Sequence, residues 1–183
     1  MNGTRLDQAE IARRLDGKLG PGTAAIYEDL EPQLSLPAER LVEACTFLRD
    51  DPEIGLDYMR CLSGIDIPPD SMAVVIHLVS TRHRHRLVLR VETRRDRPSV
   101  PSVECVLPGA GWFEREAWDL LGIDFPGNGD LRRIMLPDEW IGHPLRKDYA
   151  ESGAFFGIPT RRPESTEVVR DLAAGRRDPE EEV

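Results

Sequence analysis

Met72-Ala73-Val74-Val75-Ile76-His77-Leu78-Val79-Ser80, followed four residues later by His85-Arg86-Leu87-Val88-Leu89-Arg90-Val91-Glu92-Thr93, decides the fold class. The first run is apolar at nearly every position, as a strand covered on both faces must be. The second alternates with a period of two. Leu87, Leu89 and Val91 fall on one side, while Arg86, Val88, Arg90 and Glu92 fall mostly on the other. That pattern predicts a strand with one wet or partner-facing side. The two strands form a hairpin. Pro68-Pro69-Asp70 makes a turn before it, and a further strand lies between Leu56 and Ile67.

Working outward, Ile11, Leu15 and Leu19 mark a helix over 2–19, ended by Gly20-Pro21-Gly22. Residues 23–28 and 33–36 are short strands joined by a tight turn. Pro37 opens a second helix, where its missing N–H costs nothing. Leu41, Ala44, Cys45 and Leu48 are that helix's buried stripe, and Asp50-Asp51-Pro52 ends it. A third helix runs from Trp112 to Leu121, with Phe113, Ala117, Leu120 and Leu121 on its apolar face and Gly122 as its stop. The sum is an α/β (α+β) chain in two layers: a mixed β-sheet of about five strands with helices on it, plus an extended C-terminal segment. Residues 1–108 make the α/β domain. Residues 109–163 add a helix and an extended docking segment to the same domain, and 164–183 form a mobile acidic tail.

The formal charge of −9 over 183 residues argues against non-specific nucleic-acid binding. No window approaches the roughly 20 apolar residues of a membrane span. The N-terminus has no apolar core of a secretory signal, and Asp7, Glu10 and Asp16 are acids that transit peptides avoid. A soluble protein of a bacterial or archaeal cytoplasm fits these features. Cys45, Cys61 and Cys105 are odd in number, widely spaced and set among apolar neighbours, so all three are expected in the core rather than in a disulfide or metal site.

Seven arginines lie in 82–97 against only Glu92 and Asp96, a local +5 that leaves −14 for the remainder. Only His83 and His85 interleave as stacking groups, so a solvated edge that meets an acidic partner is favoured over a nucleic-acid site. His83 and His85 share one face and could bind a metal, but the flanking arginines oppose it. His77 is expected as a satisfied core histidine. His143 and Asp148, five residues apart, could form an acid–base pair of a stand-alone hydrolase. In a Gly- and Pro-rich loop, however, His143 is better read as an anchor to backbone groups. Glu114, Arg115, Glu116 and Asp119 suggest a solvated or partner-facing helix side. No phosphate loop or nucleophile elbow is present.

Two turns echo each other. Gly127-Asn128-Gly129-Asp130-Leu131-Arg132-Arg133 and Gly142-His143-Pro144-Leu145-Arg146-Lys147-Asp148 each present Leu and then two cations, after a backbone fixed by Gly or Pro. Such cations need carboxylate or carbonyl partners when they are buried. Glu114, Arg115, Glu116, Asp119, Arg132, Arg133, His143, Arg146, Lys147 and Asp148 are therefore the candidate docking residues.

The sequence Trp112-Phe113-Glu114-Arg115-Glu116-Ala117-Trp118-Asp119-Leu120-Leu121-Gly122-Ile123, with Asp130-Leu131-Arg132-Arg133-Ile134-Met135 and Gly142 to Tyr149, resembles the signature of the C-subunit family of NADH-quinone oxidoreductase. The mitochondrial counterpart is the thirty-kilodalton subunit of complex I. The resemblance covers roughly 20–150. It implies a scaffold subunit of the peripheral arm of a proton-translocating enzyme that passes electrons from NADH to quinone. Iron–sulfur clusters, FMN and quinone would belong to partner subunits, with no cofactor, metal or catalytic residue in this chain. It further implies docking to the quinone-site and iron–sulfur subunits, with the chain held peripherally at the cytoplasmic face of the bacterial inner membrane. The same scaffold occurs in related nickel–iron hydrogenases, formate-hydrogen lyases and other complex I-like dehydrogenases. One departure stands out: the family has Gly-His-Pro-Asp where this chain has Gly127-Asn128-Gly129-Asp130.

Overall fold

The apolar alternation of 71–94 becomes the centre of a five-stranded sheet in the computed structural model, which describes residues 6–28, 32–155 and 158–159. The strands are β1 (Ala25–Tyr27), β2 (Gln33–Leu36), β3 (Tyr58–Ile67), β4 (Ser71–Val79) and β5 (Arg86–Arg94), in the order β1-β2-β5-β4-β3. All pairs are antiparallel except β2 with β5, so the sheet is mixed. The parallel pair requires a crossover rather than a tight turn, and the second helix supplies it. The register places Leu62 opposite Ile76, Ile76 opposite Leu89, and Leu34 opposite Leu89 on the other side. This inward row is fully or almost fully buried.

Three helices close the core over that row: α1 (Gln8–Leu19), α2 (Leu41–Asp50) and α3 (Ala110–Leu121). Ile11, Leu15, Leu41, Ala44, Leu48, Ala117 and Leu121 join the sheet's inward side chains in one apolar cluster. Each fully buried Leu or Ile contributes about 1.5–3 kcal/mol. α3 comes close to β3 because Gly64 has no Cβ; one built there would stand 2.5 Å from Leu121 Cδ1.

Several expectations change. α1 starts at Gln8, not at residue 2, because Asp7 is extended and its carboxylate accepts the Glu10 N–H at 2.7 Å. Residues 1–5, where the helix was expected to begin, lie outside the described residues. A 3-10 turn over Ala38–Arg40 separates Pro37 from α2, so the proline caps that turn and α2 itself begins at Leu41. The outward side of β5 is not wet along its middle. Val88 and Arg90 are buried, and the Arg90 guanidinium lies 4.4 Å from the centroid of the Tyr27 ring while pairing with Glu92. His77 is half-buried on that outward side and is not a core residue. Of the three cysteines only Cys45 is buried, with its thiol pushed up to about 12 by burial; Cys61 is half-buried and Cys105 exposed.

The chain divides into two units, 1–149 and 150–183. In the second, β6 (Ala154–Phe155) pairs antiparallel with β7 (Ile158–Pro159). The acidic tail expected over 164–183 lies outside the described residues.

Candidate docking site: the third helix and its strap

Residues 126–149 contain neither helix nor strand, yet they are tied to α3 and the sheet end by a dense set of polar bonds. They form a strap across that end of the molecule. Its principal anchor is Asp119, which is 0% exposed. One carboxylate oxygen takes Arg133 Nη1 at 2.5 Å. The other accepts the backbone N–H groups of Ile134, Met135 and Leu136 at 3.0, 2.8 and 3.0 Å. Burial pushes this carboxyl up, but the three amides and Arg133 outweigh it and hold it below the usual carboxylate range.

Glu114, also 0% exposed, does the same work one turn earlier. It accepts from Ser102 Oγ at 2.7 Å, Val103 N–H at 2.9 Å and Asn128 Nδ2 at 2.9 Å. Asn128 thus fixes the first turn through its own amide, which explains how the departure from His-Pro is accommodated. Arg115 reaches in the opposite sense, donating to the carbonyls of Arg132 and Arg133 at 3.1 Å each. The solvated or partner-facing side expected for Glu114, Arg115 and Asp119 is therefore an internal seam. Only Glu116 of that set is exposed. Helical periodicity misleads here because Leu120 and Phe113 are merely half-buried while the acids take the deepest positions.

The second turn closes on the C-terminal end of α3. His143 Nδ1–H donates to the Asp119 carbonyl at 2.9 Å, and Arg146 Nε to the Leu121 carbonyl at 2.7 Å, both among the orphan acceptors of a helix end. The His143 ring packs directly over Gly122, which ends the helix at φ 74°; a Cβ there would stand 2.6 Å from His143 Nε2. The two echoing turns are therefore not equivalent. The first uses its second cation, Arg133, and the second uses its first, Arg146. Among the described residues the Arg132 side chain bonds only Asp130, two residues away, and the Lys147 side chain is exposed.

A third anchor is Asp66, on β3. Arg95 Nε and Nη2 fork onto it at 2.6 and 3.0 Å, and the Lys147 backbone N–H donates to it at 2.7 Å. Arg95 also pairs with Asp148 at 2.7 Å. The Arg95 guanidinium is the chief cause that holds the Asp66 and Asp148 carboxyls below their ordinary range. Neither Asp66 nor Arg95 is among the docking residues expected from the sequence. The signal for them is the position of Asp66 in the inward series Leu62, Gly64, Asp66, where an acid demands a partner.

His143 and Asp148 are bonded elsewhere rather than to each other: His143 Nδ1–H donates to the Asp119 carbonyl, and Asp148 pairs with Arg95. His85 is likewise committed, with Nδ1 accepting from Leu6 N–H at 3.2 Å and Nε2 donating to the Glu53 carbonyl at 3.0 Å. Among its exposed charges the strap region also offers large apolar groups. Trp112, Met135, Ile141 and Leu145 are all more than half exposed, with Ile141 at 83%. A groove of about 350 Å³ runs between β3 and α3, lined by Leu62, Phe113, Leu120, Leu121 and Leu145 together with Glu116. Among the described residues no helix is long and apolar enough to cross a membrane.

Comparison with known proteins finds relatives over most of the chain. Residues 34–154 match the family model described as respiratory-chain NADH dehydrogenase, 30 Kd subunit. The C-subunit of the NADH-quinone oxidoreductase of Chlorobium phaeobacteroides is 42% identical, over 67% of this chain and 75% of its own length. The protein of the same name from a Roseiflexus species is 40% identical, over 82% and 90%. The structure of a trypsin-resistant fragment (1-134) of Nqo5 superposes with a TM-score of 0.56 at 26% identity, covering 67% of this chain and 98% of that one.

Proposed function

The chain belongs to the family of the 30 kDa subunit of respiratory-chain NADH dehydrogenase, and from that premise we propose that it is a scaffold subunit of the peripheral arm of an NADH-quinone oxidoreductase. It braces the quinone-site and iron–sulfur subunits and does no chemistry itself. FMN, the clusters and quinone sit in those partners, and the chain is held peripherally at the cytoplasmic face of the inner membrane. The observation that carries the scaffold role is the division of labour in the strap. Its buried polar groups are bound within the chain, while Trp112, Met135, Ile141 and Leu145 face outward. Large apolar side chains left exposed around buried polar anchors favour an interaction surface. Arg132, Lys147 and Glu116, also exposed, are the rim charges. The names of the relatives favour NADH and quinone over hydrogenase-type partners.

The test is affinity purification of the tagged chain from gently solubilised membranes. Recovery with iron–sulfur and quinone-site subunits, in a preparation that reduces quinone with NADH, is the expected result. A chain recovered alone would overturn it. Trp112→Ala together with Leu145→Ala is expected to deplete those partners while leaving the isolated chain folded.

A further inference from the structure

The loop between β4 and β5 is a fixed frame that carries three arginines with no ion pair among the described residues. Ser80 N–H bonds the His85 carbonyl at 2.9 Å and Arg84 N–H the Ser80 carbonyl at 3.0 Å, closing residues 81–84. Ser80 Oγ accepts from His83 N–H at 3.0 Å, and Asp57 takes both Thr81 N–H at 2.9 Å and Thr81 Oγ at 2.7 Å. The stacked rings of His83 and His85, 5.4 Å apart, dock on the Pro52 and Glu53 carbonyls. The loop is thus fixed from three sides.

Arg82, Arg84 and Arg86 project from this frame, all exposed and none in an ion pair among the described residues. The contrast lies within one run: Arg90 pairs with Glu92, Arg94 with Asp96, and Arg95 with Asp66 and Asp148. Asp57 takes its hydrogen bonds from Thr81, the chief cause that holds its carboxyl below the ordinary range, and Arg82 adds only a lesser through-space pull. Arg84 adds a second observation. It is the one non-glycine described with positive φ, at 60°, a position where a glycine would be at ease. Left-handed backbone is unfavourable for an L-residue, and that strain persists where the surroundings enforce it.

We infer that the 81–86 loop is a second docking surface, a preformed arginine fork for a carboxylate-rich segment of a partner protein. The inference rests on the subunit reading above. Arginine rather than lysine suits planar, bidentate carboxylate recognition. Holding the forks in a fixed loop reduces the ordering cost of binding. A membrane surface is the weaker fit. The outward side chains at the tip are Thr81, Arg82 and Arg84, with no apolar group to insert, and three charges fall below the 4–8 cations of lipid-binding clusters.

The experiment uses the intact complex. Arg84→Lys leaves the charge and supplies an amine for carbodiimide coupling, and mass spectrometry reads the amide formed. A cross-link from position 84 to Asp or Glu of another subunit is expected. Its absence, in a complex that has assembled with its partners, overturns the inference while leaving the subunit reading intact. Failure to recover partners at all would instead overturn the subunit reading. In parallel, Arg82→Gln with Arg84→Gln and Arg86→Gln is expected to release the subunit about tenfold faster in a salt wash, the loss expected of three exposed pairs. An unchanged release rate also counts against the inference. Co-sedimentation with phosphatidylglycerol vesicles that the triple variant abolishes would overturn it in favour of a lipid headgroup site. Arg84→Gly separates folding from docking: it relieves the backbone, so the isolated chain should melt higher while the subunit releases faster.

Discussion

On β4 the groups that point into the core are Met72, Val74, Ile76 and Leu78, whereas in the strap region the innermost groups are the carboxylates of Glu114, Asp119 and Asp66. The sheet is held by non-directional burial, which tolerates exchange among side chains of similar size. The strap is held by directional bonds onto buried charge, where loss of one partner strands the other. An irregular backbone can therefore be as well placed as a strand, but it depends on a few atoms rather than on a surface.

The largest break in that contrast is Asp119→Ala. It strands Arg133 and three backbone amides at once, and about 3–5 kcal/mol of stability should be lost. Ile76→Ala in the sheet should cost a similar amount, about 2–5 kcal/mol. Hydrogen exchange separates the two: Asp119→Ala should speed exchange first in 128–149, and Ile76→Ala throughout unit 1–149. Uniform acceleration by Asp119→Ala would mean that the strap is not a separately held layer. Gly122→Ala comes next. It places a side chain at φ 74° and against the His143 ring, so about 2 kcal/mol is expected in urea denaturation. His143→Ala in the Gly122→Ala background should recover the part due to the clash.

Acid should distinguish the regions without mutation. Asp119 and Asp66 have folded pKa values below the ordinary 3.8, so their stabilisation is complete above that value. It is lost as pH falls from about 4 through their lowered values, because the unfolded chain takes up protons first. The strap should lose exchange protection on acidification before β4 does, and Asp119→Asn should flatten the acid limb of the stability curve. The smallest effect is assigned to Arg132→Ala, bonded to Asp130 two residues away and largely exposed, at within about 0.5 kcal/mol. A larger loss of folding stability there would remove Arg132 from the set of rim charges.

The legibility of the sequence follows the same line. Sequence patterns locate the five strands of the main sheet and the three helices, because burial of alternate side chains leaves a repeating mark, but not the two-residue strands β6 and β7. They misplace the start of α1, whose boundary depends on one capping bond from Asp7. In the strap, the residues that matter are nearly all visible in the sequence, but their direction is inverted. Glu114 and Asp119 look like a solvent side when counted by polarity, and only three-dimensional proximity to Asn128 and Arg133 turns them inward. Asp66 and Arg95, 29 residues apart, leave no local trace of their pairing.

Asp119 has one further consequence, and it concerns time rather than energy. It precedes Arg133, His143 and Arg146 by fourteen, twenty-four and twenty-seven positions, and Asp66 precedes Lys147 by eighty-one. A chain emerging from the ribosome therefore exposes each of these anchors before the residue that will fasten to it. The strap can close by simple addition to a framework already made, with no earlier contact undone. Until residues 133–136 have emerged Asp119 lacks its partners, and until Lys147 has emerged Asp66 lacks its last one, so an unfinished subunit is chemically distinguishable from a finished one.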